Sequence, residues 1–382
     1  MRATALLLAA VFATAFTRPA DAKESPTAEA ADAALDRGIT ELAVRPGGTP
    51  GVIAVVQRDD DLTVHPAGVG DLSTGAPPAI GDHMQLAGVS KAFSGAAAVA
   101  VVKDRALKLD DTIGKRLPTL PQAWKDVTLT QLLQHRSGLP DFTKSPAYER
   151  ALRASPLVAP PPAGLLSFVH DQPLDFPPGS KYHYSNTDNV VVQLMIEAAT
   201  GRPYTDVLQE KVYTPIGLTD TSLPDDNVMP SPYIHGYELR PPDPPKDVSQ
   251  GFDLGWVAAA GGMVSTPADL NRFIRAYARG ETANKGTADR QFRFVRGDSE
   301  PRGPGVNGAG LGIFRYGTRC GTVYGHSGVT VAYTQFAAST SDGARSATVS
   351  INSRLTPTDD PQAFAPLERI FEDAVCAALA GT

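Results

Sequence analysis

The β-rich runs of this chain lie at its two ends, and the stretch between them is helical and broken by proline. Near the N-terminus, residues 51–57 and 62–69 are apolar, β-branched runs separated by Arg58-Asp59-Asp60-Asp61, which is turn chemistry. Ala31, Leu35, Ile39 and Leu42 recur at helical spacing and predict a helix over 27–44 ahead of them. Strands return at 310–316, 321–325, 331–338 and 346–352, followed by a last helix over 361–380. From 88 to 278 the pattern is mostly helical, with breaks at Ala159-Pro160-Pro161-Pro162 and Pro241-Pro242-Asp243-Pro244-Pro245. Strands from both ends bury their faces by joining one antiparallel sheet, so the expected class is α+β, an α/β sandwich. Terminal helices flank that sheet and an all-helical lobe is inserted into it. The expected α/β lobe spans about 23–85 and 290–382, the helical lobe about 86–289, and a cleft lies where they meet.

Residues 1–22 read as a secretory signal peptide. Met1-Arg2 precede an uncharged apolar run from Ala3 to Phe16, and Ala20-Asp21-Ala22 is an Ala-x-Ala cleavage site. The run is too short to span a bilayer, and no later stretch is long enough. The expectation is a secreted, extracellular protein of about 360 residues with no membrane span. A hydrophobic content of 42% and a length of this order suit a large globular core. The formal net charge is -6 and no Lys/Arg stripe is present, which argues against nucleic acid as a partner. No His/Cys/Asp/Glu cluster has metal-ligand spacing, so neither a metal nor another cofactor is expected. Two cysteines, Cys320 and Cys376, permit one pairing, and export predicts that they form a disulfide.

Three motif matches fail on context. Gly303, Gly305 and Gly308 satisfy Gly-x-Gly-x-x-Gly, but a dinucleotide site needs a strand before and a helix after, and 296–310 reads as a long surface loop. Arg296-Gly297-Asp298 is a tripeptide of little specificity. Gly325-His326-Ser327-Gly328-Val329 resembles a nucleophile elbow, but Val329 replaces the final glycine and the following residues read as strand where the elbow needs a helix.

Three other segments carry chemistry together. Gly88-Val89-Ser90-Lys91 opens an Ala/Val-rich helix, Tyr184-Ser185-Asn186 heads an apolar helix, and His326-Ser327-Gly328 stands at the tip of a strand. In this order they resemble the Ser-x-x-Lys, Tyr-x-Asn and His-x-Gly motifs of the penicillin-recognising serine hydrolases, the superfamily of D-alanyl-D-alanine carboxypeptidases and class C β-lactamases. Gln134-His135-Arg136-Ser137-Gly138-Leu139 and Tyr213-Thr214-Pro215-Ile216-Gly217-Leu218 are similar to segments of its secreted Streptomyces carboxypeptidase branch. The resemblance covers nearly the whole mature chain and is compatible with a single disulfide. It implies a β-lactamase/transpeptidase-like fold and acyl transfer in which a serine attacks, lysine and tyrosine move protons and backbone amides hold the oxyanion. Lys91, Tyr184, Asn186 and His326 are the catalytic candidates; Ser185, Ser327, Gly328, Val329 and Trp256 are the binding candidates. His135, Arg136 and His183 read as structural.

The chain departs from that pattern twice. Gly88 occupies the serine position, and Ser90 does not replace it, because two residues along a helix is a rotation of about 200°. Removing such a nucleophile costs about 10⁶ in rate. Val329-Thr330-Val331-Ala332 after His-x-Gly offers few donors to a substrate carboxylate. Three readings follow. Lys91 and Tyr184 perform acid-base chemistry without a covalent intermediate on a small metabolite, acyl or peptide substrate; or the cleft of an inactive relative binds a peptide or β-lactam-like ligand; or a carboxypeptidase or esterase recruits another hydroxyl, Ser90 or Ser185. A monomer with a small-molecule or peptide ligand in the cleft is expected.

Overall fold

The computed structural model describes residues 27–45, 47–356 and 361–381. The signal peptide predicted over residues 1–22 lies outside the described residues. Helix α1 (Ala28–Val44) begins where the Thr27 hydroxyl accepts a hydrogen bond from the Ala30 amide, at 3.3 Å. The sheet strands are β1 (Gly51–Arg58), β2 (Asp61–Gly68), β3 (Val295–Arg296), β4 (Val306–Ala309), β5 (Phe314–Thr318), β6 (Gly321–Val329), β7 (Thr334–Ser339) and β8 (Arg345–Ile351). They run in the order β2-β1-β8-β7-β6-β5-β4-β3, every neighbouring pair antiparallel. The two ends of the chain meet at the β1/β8 pair, from Val52 opposite Ile351 to Arg58 opposite Arg345. Four longer helices matter for the site: α2 (Ser90–Lys103), α3 (Asn186–Thr200), α4 (Pro267–Ala278) and α5 (Pro361–Leu379).

Both faces of the sheet are covered, so β1 is buried almost throughout. The strand period of two sends Val52, Ala54 and Val56 toward α1 and α5, where they join Leu35, Ile39, Phe336 and Phe371. Ile53 points the other way, into a core shared with Phe93, Phe273 and Ala337. Helix α4 packs across β7 and β8 on that second face, although it falls inside the stretch assigned above to the helical lobe. Phe93 of α2 stacks on Phe273 of α4 with ring centroids 3.5 Å apart, which ties the two layers together. Cys320, at the turn between β5 and β6, is bonded to Cys376 of α5 with Cα atoms 5.2 Å apart.

Three strand boundaries differ from the sequence reading. Segment 310–316 is not one strand, because Gly312 adopts a left-handed φ of +65° against α2 and divides β4 from β5. The loop predicted over 296–310 contains β4 and the end of β3; the Asn307 amide donates to Gly303 O at 3.0 Å and Gly305 O at 3.1 Å and folds the glycines into a tight turn. The strand predicted from 331 starts at Thr334. Thr330 makes a hairpin turn there, its N–H donating to Tyr333 O at 2.8 Å and its hydroxyl accepting from the Tyr333 amide at 3.1 Å. The elbow reading remains excluded, because Val329 is followed by a hairpin and an antiparallel strand.

Candidate active site

Strand β6 lies directly on the turn that leads into α2. Ala87–Val89 form one 3₁₀ turn, with Ala87 at a left-handed φ of +52° that an L-residue adopts only at a cost of about 1–2 kcal/mol. A Cβ at Gly328 would collide with the Gly88 amide and stand 2.8 Å from Leu86 O, so a glycine at 328 is what lets strand and turn meet backbone to backbone. Position 88 is also confined. A Cβ there would lie 3.0 Å from the Tyr184 hydroxyl, 3.0 Å from Ser327 O and 3.2 Å from Gly328 Cα.

Lys91, on the first turn of α2, is only 2% exposed. Its Nζ donates to Asn186 Oδ1 and to Ala260 O, each at 2.7 Å, and sits 4.7 Å from the centre of the Tyr184 ring. Burial lowers its pKa to about 8, opposed by the negative fields of Asp141, Glu300 and Asp188. Asn186 is the first residue of α3. Its Nδ2 donates to Asp141 Oδ2 at 3.0 Å and to Thr143 Oγ1 at 3.1 Å, which fixes the amide with its oxygen toward Lys91. Asp141 in turn accepts from the Thr143 amide at 3.0 Å, capping the short turn Phe142–Lys144.

Tyr184 lies with its ring 4.4 Å from that of His135. Burial, reinforced by the field of Glu300, pushes its phenol well above the ordinary value, so it stays protonated and serves as a donor. His135 Nδ1 is 3.0 Å from Asp188 Oδ2, and the Ser137 hydroxyl donates to Asp188 Oδ1 at 2.5 Å. Burial holds His135 well below its usual pKa and Asp188 well above its own. Arg136 donates to Gly179 O, and His183 faces Asp175 at 3.2 Å. These three residues of the sequence reading thus tie loops down, with His135 also backing Tyr184.

The cleft holds about 740 Å³ and is bordered by Gly88, Lys91, Tyr184 and Asn186 together with Val329. Other candidates stand elsewhere. His326 is fully buried and outside the lining, its Nδ1 2.5 Å from Ser327 O and its ring edge-on to Phe314; burial and then the Lys91 charge lower its pKa to about 3. Ser327 is buried and donates to Pro301 O, and Ser185 is buried beneath the start of α3. Gly328 acts through its backbone. Trp256 does not reach the cleft: its indole N–H donates to Ser155 O at 3.1 Å and its ring packs edge-on to Tyr148 behind the wall. The Ser90 hydroxyl accepts from the Met263 amide at 3.1 Å, away from the cleft. Asp141, Thr143, Tyr148, Phe252, Glu300 and the Ala260 carbonyl were not anticipated, and they line it. Asp141 follows closely on the His135–Leu139 segment, which was the one available signal. Among the described residues no group of three or more His, Cys, Asp and Glu side chains is placed to hold a metal ion, and no helix is long and apolar enough to cross a membrane.

The chain is 24% identical over 261 residues to penicillin-binding protein 4* of Bacillus subtilis, covering 64% of this chain and 56% of that one. It is 29% identical over 213 residues to a D-aminopeptidase of Cereibacter sphaeroides, covering 54% of this chain and 39% of that one. The matches therefore span well under two thirds of these relatives' length. Among solved structures, a D-stereospecific amidohydrolase from Streptomyces superposes with a TM-score of 0.76 at 26% identity, over 88% of this chain and 98% of that one. The Beta-lactamase family model matches residues 35–367, and the chain belongs to that family.

Proposed function

We propose that this protein handles a small acyl or peptide-like substrate by proton transfer through Lys91 and Tyr184, with no serine ester formed. The observation that carries this reading is the surrounding of Gly88. Lys91 is hydrogen-bonded to Asn186 at 2.7 Å and stands 4.7 Å from the centre of the Tyr184 ring, while a side chain at 88 would be crowded by the Tyr184 hydroxyl and the Ser327 carbonyl, each 3.0 Å from its Cβ. With a pKa of about 8, Lys91 is poised to take a proton from water, which then attacks the scissile carbonyl. Tyr184, kept protonated by burial, donates to the leaving nitrogen or oxygen, and Lys91 returns its proton. The likeness to a D-aminopeptidase and to a D-stereospecific amidohydrolase makes a D-amino-acid amide the first substrate to try. The N-terminal apolar run supports export, which N-terminal sequencing of secreted material, expected to begin at Lys23, tests; the expected monomer is tested separately by sedimentation.

The test combines D-phenylalanine amide with a fluorescent penicillin. Hydrolysis that is lost in Lys91→Met, together with an unchanged intact mass after penicillin treatment, is the expected result. A covalent penicillin adduct on the unaltered protein sinks the reading. Ligand-induced thermal stabilisation without turnover favours a binding protein instead.

A further inference from the structure

With no side chain at 88, the strongest nucleophile bordering the cleft is the Lys91 amine itself. A neutral primary amine has two hydrogens and one lone pair. Asn186 Oδ1 and Ala260 O, both acceptors and both at 2.7 Å, take the two hydrogens. Asn186 cannot turn a donor toward Lys91 without giving up its bonds to Asp141 and Thr143. The lone pair is therefore left unused on a residue that borders the cleft. Residues three apart at a helix start share a face, and glycine at 88 removes the group that would otherwise stand beside the amine on that face. Burial has already lowered the proton affinity of Lys91, the environment that activates lysines for attack on carbonyls.

We propose that Lys91 is a nucleophile toward aldehydes and ketones, forming an imine in the cleft next to Gly88. The step extends the assignment of the cleft as a serine-free site and uses the same lysine. Nζ attacks the carbonyl carbon as the C=O π pair moves to oxygen. One amine proton passes to that oxygen, giving a carbinolamine. Tyr184 then protonates the hydroxyl, which leaves as water while the nitrogen lone pair closes the C=N bond. The imine nitrogen retains the remaining amine hydrogen, and that proton goes back to Tyr184 to leave a neutral imine. The net reaction is amine plus carbonyl giving imine plus water, with no oxidant or reductant. Alongside charged groups such as Asp141, Glu300 and Arg354, the lining includes Tyr148, Leu152, Phe252 and Val329, whose apolar surface suits an aromatic or branched carbonyl compound.

The experiment treats the full chain at pH 7 with substoichiometric phenylacetaldehyde and cyanoborohydride, which reduces any imine to a stable amine, and locates the label by peptide mapping. A pKa near 8 in place of 10.5 leaves roughly 300-fold more free amine on Lys91 than on an ordinary lysine at this pH. The expected result is label concentrated on the Lys91 peptide, with a rate that rises with pH and levels off near 8. Label on exposed lysines with Lys91 unmodified overturns the proposal, and this needs no variant. Lys91→Arg, checked for folding by circular dichroism, is expected to lose the label selectively; retention of the same labelled peptide also overturns it. The two assignments fail separately. Lys91-dependent amide hydrolysis with no label on Lys91 removes the imine and leaves the acid-base function standing, while label without hydrolysis does the reverse.

Discussion

A Cβ at position 88 would stand 3.0 Å from both the Tyr184 hydroxyl and Ser327 O, so Gly88→Ser has to displace the tyrosine by a few tenths of an ångström. The phenol is the group that has to yield, because the Ser327 carbonyl belongs to the backbone of β6; the tyrosine ring lies tilted against His135. Gly88→Ser is therefore expected to gain a penicillin adduct by intact mass, at a stability cost of about 1 kcal/mol in denaturant melts. No adduct from a folded variant would mean that Tyr184 is locked where it stands. The pH profile of the unaltered protein tests Lys91. The active form is the free amine, so kcat/KM is expected to fall about tenfold for each pH unit below 8 and to flatten above it. A profile that is flat between pH 6 and 8 would remove Lys91 from the role of base. Gly-x-x-Lys in place of Ser-x-x-Lys, Tyr-x-Asn and His-x-Gly were all visible as residue patterns, and Lys91, Tyr184 and Asn186 do meet around one cleft. His326 and Trp256 were misplaced for the same reason. Their residue types suit a site, but whether a side chain faces a cleft or a core depends on what packs behind it.

One turn beyond Lys91 and on the same face, helix α2 closely approaches α4 and the turn between β4 and β5, which helps to seat the lysine. Gly95 is the contact: a Cβ there would collide with the Tyr277 hydroxyl and lie 3.0 Å from Leu311 O and Gly312 Cα. Tyr277 cannot simply retreat, since its hydroxyl donates to Leu311 O at 2.5 Å. Gly95→Ala adds about 1 kcal/mol of helix propensity but overpacks this contact by about 1–3 kcal/mol. The variant is expected to melt at lower temperature and to lose activity as Lys91 shifts; a higher Tm would show that the contact is loose. The helix was legible from its Ala/Val-rich sequence. The strand ends were less so, because Gly312 and Asn307 act through a turn and a side-chain cap that hydrophobic periodicity does not record.

At the scale of the molecule, the β1/β8 pair and the Cys320–Cys376 bond make the two chain ends and their helices one unit. A disulfide spanning 56 residues contributes roughly 4 kcal/mol in the chain-entropy model. Reduction is expected to lower the guanidinium midpoint accordingly while leaving the cleft intact, since neither cysteine lines it. Loss of ligand binding on reduction in the absence of denaturant would show that the two are coupled. The amino-acid sequence alone determined the sheet built from both termini, the terminal helices, the cysteine pair and the lysine, tyrosine and asparagine of the site. The elements and the cysteine pair follow from local periodicity and residue chemistry, and the three site residues from the resemblance to the motifs of the penicillin-recognising serine hydrolases. Only the tertiary structure decided that the Tyr184 hydroxyl crowds Gly88, that His326 and Trp256 are buried away from the cleft, and that Asp141 orients Asn186. Those facts depend on which backbones approach within a few ångströms across distances of tens to hundreds of residues, and close packing sets them by fractions of an ångström that no sequence spacing encodes.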